Sequence, residues 1–117
     1  MSNTTPRVRE LSLYRRYFDL VAAGTKTIEV RVAHPHLTDL AAGDVIRFRI
    51  KGTDETCEVE VRRVTEYAGF EALLDGEGPS HVNPAAARDA QLAGIRPIYP
   101  PEKEALGPLA IEIRLLD

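Results

Sequence analysis

Apolar and polar residues alternate in several stretches of this chain. Over 44–50, DVIRFRI, Ile46, Phe48 and Ile50 share one face and Arg47 and Arg49 the other. Over 57–64, CEVEVRRV, Cys57, Val59 and Val61 oppose Glu58, Glu60 and Arg62. Over 108–116, PLAIEIRLL, Leu109, Ile111, Ile113 and Leu115 oppose Glu112 and Arg114. A period of two is that of a half-buried β-strand. The turn formers of 51–56, KGTDET, join the first two runs as a hairpin. RVRELSLY (7–14) predicts a short strand or an extended lead-in. In GTKTIEVRV (24–32), Ile28, Val30 and Val32 alternate with Thr27, Glu29 and Arg31, which predicts a strand over 26–32. Its apolar set reads as barrel wall.

Between the strands the spacing changes to that of helices. Tyr14, Tyr17, Phe18 and Val21 predict a short helix over 14–24, closed by Gly24 as a left-handed cap. Phe70, Leu73 and Leu74 predict another over 69–78. Segments 33–43 and 77–83 read as loops. Asn83 as cap and Pro84 at the first helical position predict a helix over 85–94. The proline-rich 95–107 leaves room for one or two helical turns after Pro101. The predicted order is β-α-β-β-β-α-α-α-β. Short, half-polar strands in that order suit an α+β fold, a small, mostly antiparallel barrel with short helices packed on it.

Length and composition narrow the picture. With 117 residues, 44% hydrophobic and 28% charged, the chain has the size and composition of one domain with one core. The expected domain runs over 1–117, ordered over about 8–116. Cys57 is the single cysteine, so no intrachain disulfide forms, and a cytoplasmic, reducing location is expected. No apolar run is long enough to span a membrane, and MSNTTPRVRE lacks a signal-peptide core. A net charge of −3 argues against non-specific coating of nucleic acid, but not against a local basic cleft. Tryptophan is absent, which argues against an extended base-stacking platform.

The polar side of 26–32 carries the candidate chemistry. Thr27, Glu29 and Arg31 share a face, about 7 Å apart, and Lys26 stands at its mouth. Glu29 can accept hydrogen bonds or a proton. Arg31 can hold Glu29 ionised or grip a phosphate. Lys26 can bind phosphate or, desolvated, act as a base. The plain alternative is a solvated face with an exposed ion pair worth under about 1 kcal/mol. Arg15 and Arg16 are candidates for a basic rim, Tyr99 for a stacking residue, and His34 and His36 with His81 for cleft lining. No cofactor or metal is expected, because His-x-His without cysteine or clustered carboxylates is a thin ligand set.

LVAAGTKTIEVRV resembles the signature of the ASCH domain family, a helix ending in glycine and then G-x-K-x-x-E-x-R on the next strand. LAAGDVIRFRI, YAGFEALL and IRPIYPPEKEALGPLAIEI resemble its later landmarks, in order, over about 8–116. The resemblance implies a PUA-like β-barrel with a cleft beside the first helix. It also implies RNA or a modified nucleoside or nucleotide as partner. A related branch hydrolyses N4-acetylcytidine with a lysine and a threonine on this strand and a glutamate further on. On this chain the lysine falls on Lys26 and the arginine on Arg31, but the threonine position holds Glu29. Thr27 lies one pleat away, and Glu77 is the nearest distal glutamate by order. Glutamate does not replace a hydroxyl nucleophile, since its acyl-enzyme would be an anhydride. The expected function is an RNA- or nucleotide-binding domain whose cleft holds Lys26, Glu29 and Arg31. The alternative is a hydrolase, either an amidohydrolase on N4-acylated cytidine or a ribonuclease, with Lys26 and Glu29 as acid and base.

Overall fold

The computed structural model describes residues 7–116. The first six residues, over which part of the signal-peptide expectation falls, lie outside it. The order is β1 (Val8–Leu13), α1 (Arg15–Ala22), β2 (Ile28–Val32), β3 (Val45–Ile50), β4 (Thr56–Glu66), α2 (Phe70–Glu77), α3 (Pro79–Val82), α4 (Arg88–Ile98), α5 (Pro101–Glu104) and β5 (Pro108–Leu115). The strands form a five-stranded sheet in the order β1-β3-β4-β5-β2. Only β1–β3 is parallel; the other pairings are antiparallel. The sheet curls into a half-barrel, so β1 and β2 are its two edges.

Two apolar clusters flank this sheet. One fills the concave side with Ile46, Phe48, Ile50, Val59, Val61 and Ile111, under Phe18 and Val21 of α1. Alternation along β3, β4 and β5 delivers these residues. The other lies between the sheet and α2–α4, where Phe70, Leu73 and Leu74 meet Ile28, Val32 and Ala110.

This second cluster corrects the reading of β2. Its apolar residues pack beneath the helices and are not the concave wall. The register explains why. Glu29 stands opposite Ile111 and Arg31 opposite Leu109, which belong to the concave cluster. Paired residues share a face, so Glu29 and Arg31 face the barrel interior.

The helices differ in three places. Residues 79–82 form α3 where a loop is predicted, and α4 begins at Arg88, not at 85, and ends at Ile98, not at 94. The Asn83 side-chain oxygen accepts from Ala85 N–H at 2.9 Å and so caps a turn instead of the helix. Gln91 Nε2 donates to the carbonyls of Pro79, Asn83 and Ala86, which holds 79–87 in its looped path. The helix then runs through Pro97. Proline frees only the carbonyl four residues back, that of exposed Ala93, which water can serve.

Glu77 fastens the end of α2 to the sheet. Its carboxylate takes two hydrogen bonds from Arg63, at 2.9 and 2.7 Å, and one from Tyr67 Oη at 2.6 Å. Arg63 and Tyr67 hold the Glu77 carboxyl below its ordinary 4.5, against the opposing pull of burial. A carboxyl lowered in the fold stabilises above the ordinary value and loses that contribution as pH falls through its folded value. Glu77→Gln is therefore expected to cost about 1–3 kcal/mol at neutral pH in urea unfolding. The gap to wild type is expected to shrink between about pH 5 and pH 3. A gap independent of pH would contradict this role.

Candidate functional site

Gly24 sets the site's geometry. Its φ of +77° is one that a Cβ disfavours, and it lets the chain reverse at the end of α1. The N–H groups of Gly24, Thr25 and Lys26 then close back on the carbonyls of Val21 and Leu20. Lys26 is thereby turned inward, 5% exposed, and Glu29, two residues into β2, is equally buried at 5%.

The ammonium of Lys26 donates two hydrogen bonds, to Ile28 O at 2.6 Å and Val82 O at 2.8 Å, and forms an ion pair with Glu29 Oε1 at 3.4 Å. Glu29 Oε2 accepts from Arg31 Nε at 2.7 Å, and Arg31 Nη2 donates to Ser12 O at 2.9 Å. One chain of contacts thus runs from α3 through β2 to β1. Burial pulls the Lys26 ammonium below its ordinary value, with Glu29 opposing. Burial also pulls on Arg31, but Glu29 and Tyr99 together outweigh it and the guanidinium is raised.

These three side chains border a cavity of about 570 Å³. It opens where the edge strands β1 and β2 approach each other, with α4 as the far wall. Its charged lining consists of Arg16, Lys26, Arg31 and Lys51 against Glu29 alone. Arg16 and Lys51 have no carboxylate partner among the described residues. They sit over exposed Tyr14 instead, 6.0 and 5.6 Å from its ring centre. Arg16 also covers Tyr17 at 4.9 Å.

The other candidates divide. Tyr99 borders the cavity and stacks on Phe70, ring centres 5.7 Å apart. Burial raises its phenol. Arg15 points elsewhere and pairs with Glu55 at 2.6 Å, because successive helix residues diverge by about 100°. Thr27 borders a separate hollow of about 170 Å³ with Val59 and Ile113; Lys26 borders both spaces. His36 lies outside the cavity lining and stacks on His34. His81 Nδ1 is 2.7 Å from Glu77 O, and Glu77 is taken up by Arg63 and Tyr67. Neither lines the cavity. Cys57 is only half-buried, and desolvation raises its thiol. Among the described residues, no group of three or more His, Cys, Asp or Glu is placed to hold a metal, and no helix is long and apolar enough to cross a membrane.

Tyr14, Lys51 and Gln91 also border the cavity and were missed by sequence reasoning. Tyr14 reads as a helix-face residue but is the residue before α1, with extended backbone. Lys51 reads as a turn former. Gln91 carried a signal: it is a long polar side chain beside Leu92, on the face that α4 buries.

Comparison with known proteins agrees with this fold. The pattern of the ASCH domain matches residues 11–116. No curated protein gives a match. Among solved structures, the hypothetical protein PH0355 is similar at 30% identity and a TM-score of 0.84, covering 93% of this chain and 99% of that one. Protein PF0455 from Pyrococcus furiosus is similar at 28% identity and TM-score 0.77, over 94% and 98%. A mutant of ZmASCH from Zymomonas mobilis shares the fold at 14% identity and TM-score 0.70, over 92% and 68%. A match over nearly the whole described chain leaves one conclusion: the protein belongs to the ASCH domain family.

Proposed function

We propose that the cavity binds a nucleotide, either free, as a modified nucleoside phosphate, or as one unit of an RNA strand. The observation that carries this reading is the charge imbalance, four cations around one carboxylate in a chain whose net charge is −3. A volume of about 570 Å³ lies within the range of small-ligand clefts, about 300–1,000 Å³. Arg16 and Lys51 are free to meet phosphate, and exposed Tyr14 offers a ring on which a base can stack. ASCH domains are generally proposed to bind RNA.

Lys26 supports the ligand from beneath in this reading. Two of its protons are taken by backbone carbonyls and its charge is paired with Glu29, so it is engaged from below. A neutral amine would forfeit the ion pair with Glu29. Arg31, about one-fifth exposed, is the member of the triad able to reach a ligand.

A hydrolase is the second reading. It is favoured by the downward pull of burial on Lys26, since a depressed amine beside a carboxylate can take a proton from water. Water attacking the acetyl carbonyl of N4-acetylcytidine would then release acetate as the C–N bond breaks and the departing amine is protonated.

Three measurements test these readings. Titration with a short single-stranded RNA and with nucleoside monophosphates is expected to show binding by wild type. Arg16→Ala/Lys51→Ala is expected to weaken it at least tenfold and to lower the salt slope for RNA by about 1.4, at about 0.7 per phosphate contact. Absence of wild-type binding, or an unchanged double variant, would sink the binding reading. Glu29→Gln leaves buried Lys26 and partly buried Arg31 without their carboxylate and is expected to cost about 3–5 kcal/mol in chemical unfolding. A loss below about 1 kcal/mol, the worth of an exposed pair, would refute the clamp. For the hydrolase, purified protein is incubated with N4-acetylcytidine and with labelled RNA, with and without chelator. Turnover that disappears in Lys26→Met would establish it, and silence throughout at high enzyme concentration would remove it.

A further inference from the structure

Most basic residues of this chain are already committed. Among the described residues, only Arg16, Lys51, Arg62 and Lys103 have no carboxylate within ion-pair reach. Arg16 and Lys51 border the cavity; Arg62 on β4 and Lys103 on α5, between Glu102 and Glu104, do not. Cations close to the first two in the chain are neutralised. Arg15 on α1 is held by Glu55 at 2.6 Å. Arg49 on β3 is held by Glu10 at 3.0 Å and Asp54 at 3.4 Å. The far wall, α4, turns its arginines to α2, Arg88 to Asp75 at 2.7 Å and Arg96 to Glu71 at 3.3 Å. A phosphate approaching such a pair meets the carboxylate along with the guanidinium and gains little.

Exposed aromatic surface is as narrowly placed. Of the tyrosines and phenylalanines among the described residues, Tyr14 alone is exposed, at 54%. His36 and His81 are exposed as well, but neither lines the cavity. Arg16 and Lys51 both lie over the Tyr14 ring, 6.0 and 5.6 Å from its centre. One ring and two uncommitted cations thus stand together at one point of the surface. A nucleic-acid strand is held by successive rings and by a cationic track along its backbone. No second ring continues this one, and a net charge of −3 repels a polyanion that runs beyond the rim.

We infer that the cavity's ligand is a single nucleoside monophosphate, and that further nucleotides of a strand add no affinity. The inference rests on the nucleotide-binding reading above and chooses between its forms. Two cations match one phosphomonoester, which carries about −1.5 to −2 charges at neutral pH. Each further phosphodiester brings a negative charge that no uncommitted cation of the cavity lining is left to meet. Each further base finds no second exposed ring.

The experiment is a length series by calorimetric titration at several salt concentrations. The four ribonucleoside 5′-monophosphates are titrated first. The tightest is then compared with its nucleoside and with the 5′-phosphorylated homohexanucleotide of the same base. The monophosphate is expected to bind at least tenfold tighter than the nucleoside. The hexanucleotide is expected to gain less than tenfold over the monophosphate, no more than the statistical factor of its units. Its salt slope is expected to equal that of the monophosphate, since each added phosphate contact would raise it by about 0.7. Tyr14→Ala, a change at an exposed residue ahead of α1, is expected to weaken both ligands at least tenfold. Four results each overturn the inference while leaving nucleotide binding intact: a smaller gain from the phosphate, a hexanucleotide bound more than tenfold tighter, a slope that rises with length, or a variant that keeps its affinity for either ligand. No binding of any nucleotide overturns both.

Discussion

A lysine and a glutamate, each 5% exposed, sit together beneath the cavity, and the fold around them is arranged to make that tolerable. Removing either charge from water costs several kcal/mol even after relaxation. Compensation comes from four separate places. The Gly24 reversal delivers Lys26, α3 supplies the Val82 carbonyl, β2 supplies Glu29 and Arg31, and β1 supplies the Ser12 carbonyl. The triad is therefore less a decoration of the barrel than the device that sets its seam, because Arg31 crosses from one sheet edge to the other. Edge strands with bare backbone invite pairing with other chains. Here a guanidinium and a helical wall occupy that space, and what remains between them is the cavity.

The sheet separates two apolar environments, and β2 faces both in an unusual sense. Its hydrophobic residues serve the helical layer, while its charged residues face inward at the open seam. Inward charges at an edge are also a known protection against strand addition. Under the nucleotide-binding proposal, stability and recognition draw on the same side chains, so substitutions in the triad are expected to perturb both. Arg16 and Lys51 differ, since both lie on the rim and engage only tyrosine rings.

Much of this was legible in the residues. Alternation over β3, β4 and β5 has a period that admits one solution, and the structure pairs those strands as neighbours. Gly24 announced its turn, and Glu29 and Arg31 stood two apart, as a shared strand face requires, with Lys26 at the strand's mouth. Burial was not legible. Alternation says that Ile28 and Glu29 lie on opposite faces, but not which face a distant helix will cover. That depends on Phe70 and Leu73, more than forty residues away in the chain. The helix start failed for a related reason. Asn83 and Pro84 are sound local signals, yet Gln91 ties down three carbonyls ahead of the helix and shifts its beginning. Local propensity yields where a buried side chain satisfies the backbone in another way. Lys51 and Tyr14 joined the site through the curl of the sheet, which no window of sequence displays.

The topology has a temporal side. β2 lies at a sheet edge, and its only ladder partner is β5, the last strand of the described chain. As the chain emerges from its amino end, the strand bearing Glu29 and Arg31 is made early, but it has no neighbour until residues 108–115 follow. Until then its charges remain in water, where they cost nothing and organise nothing. Desolvation of the ion triad and closure of the barrel thus fall together at the end of assembly. No shorter amino-terminal fragment can contain the site, although every residue of the triad lies in the first third of the chain.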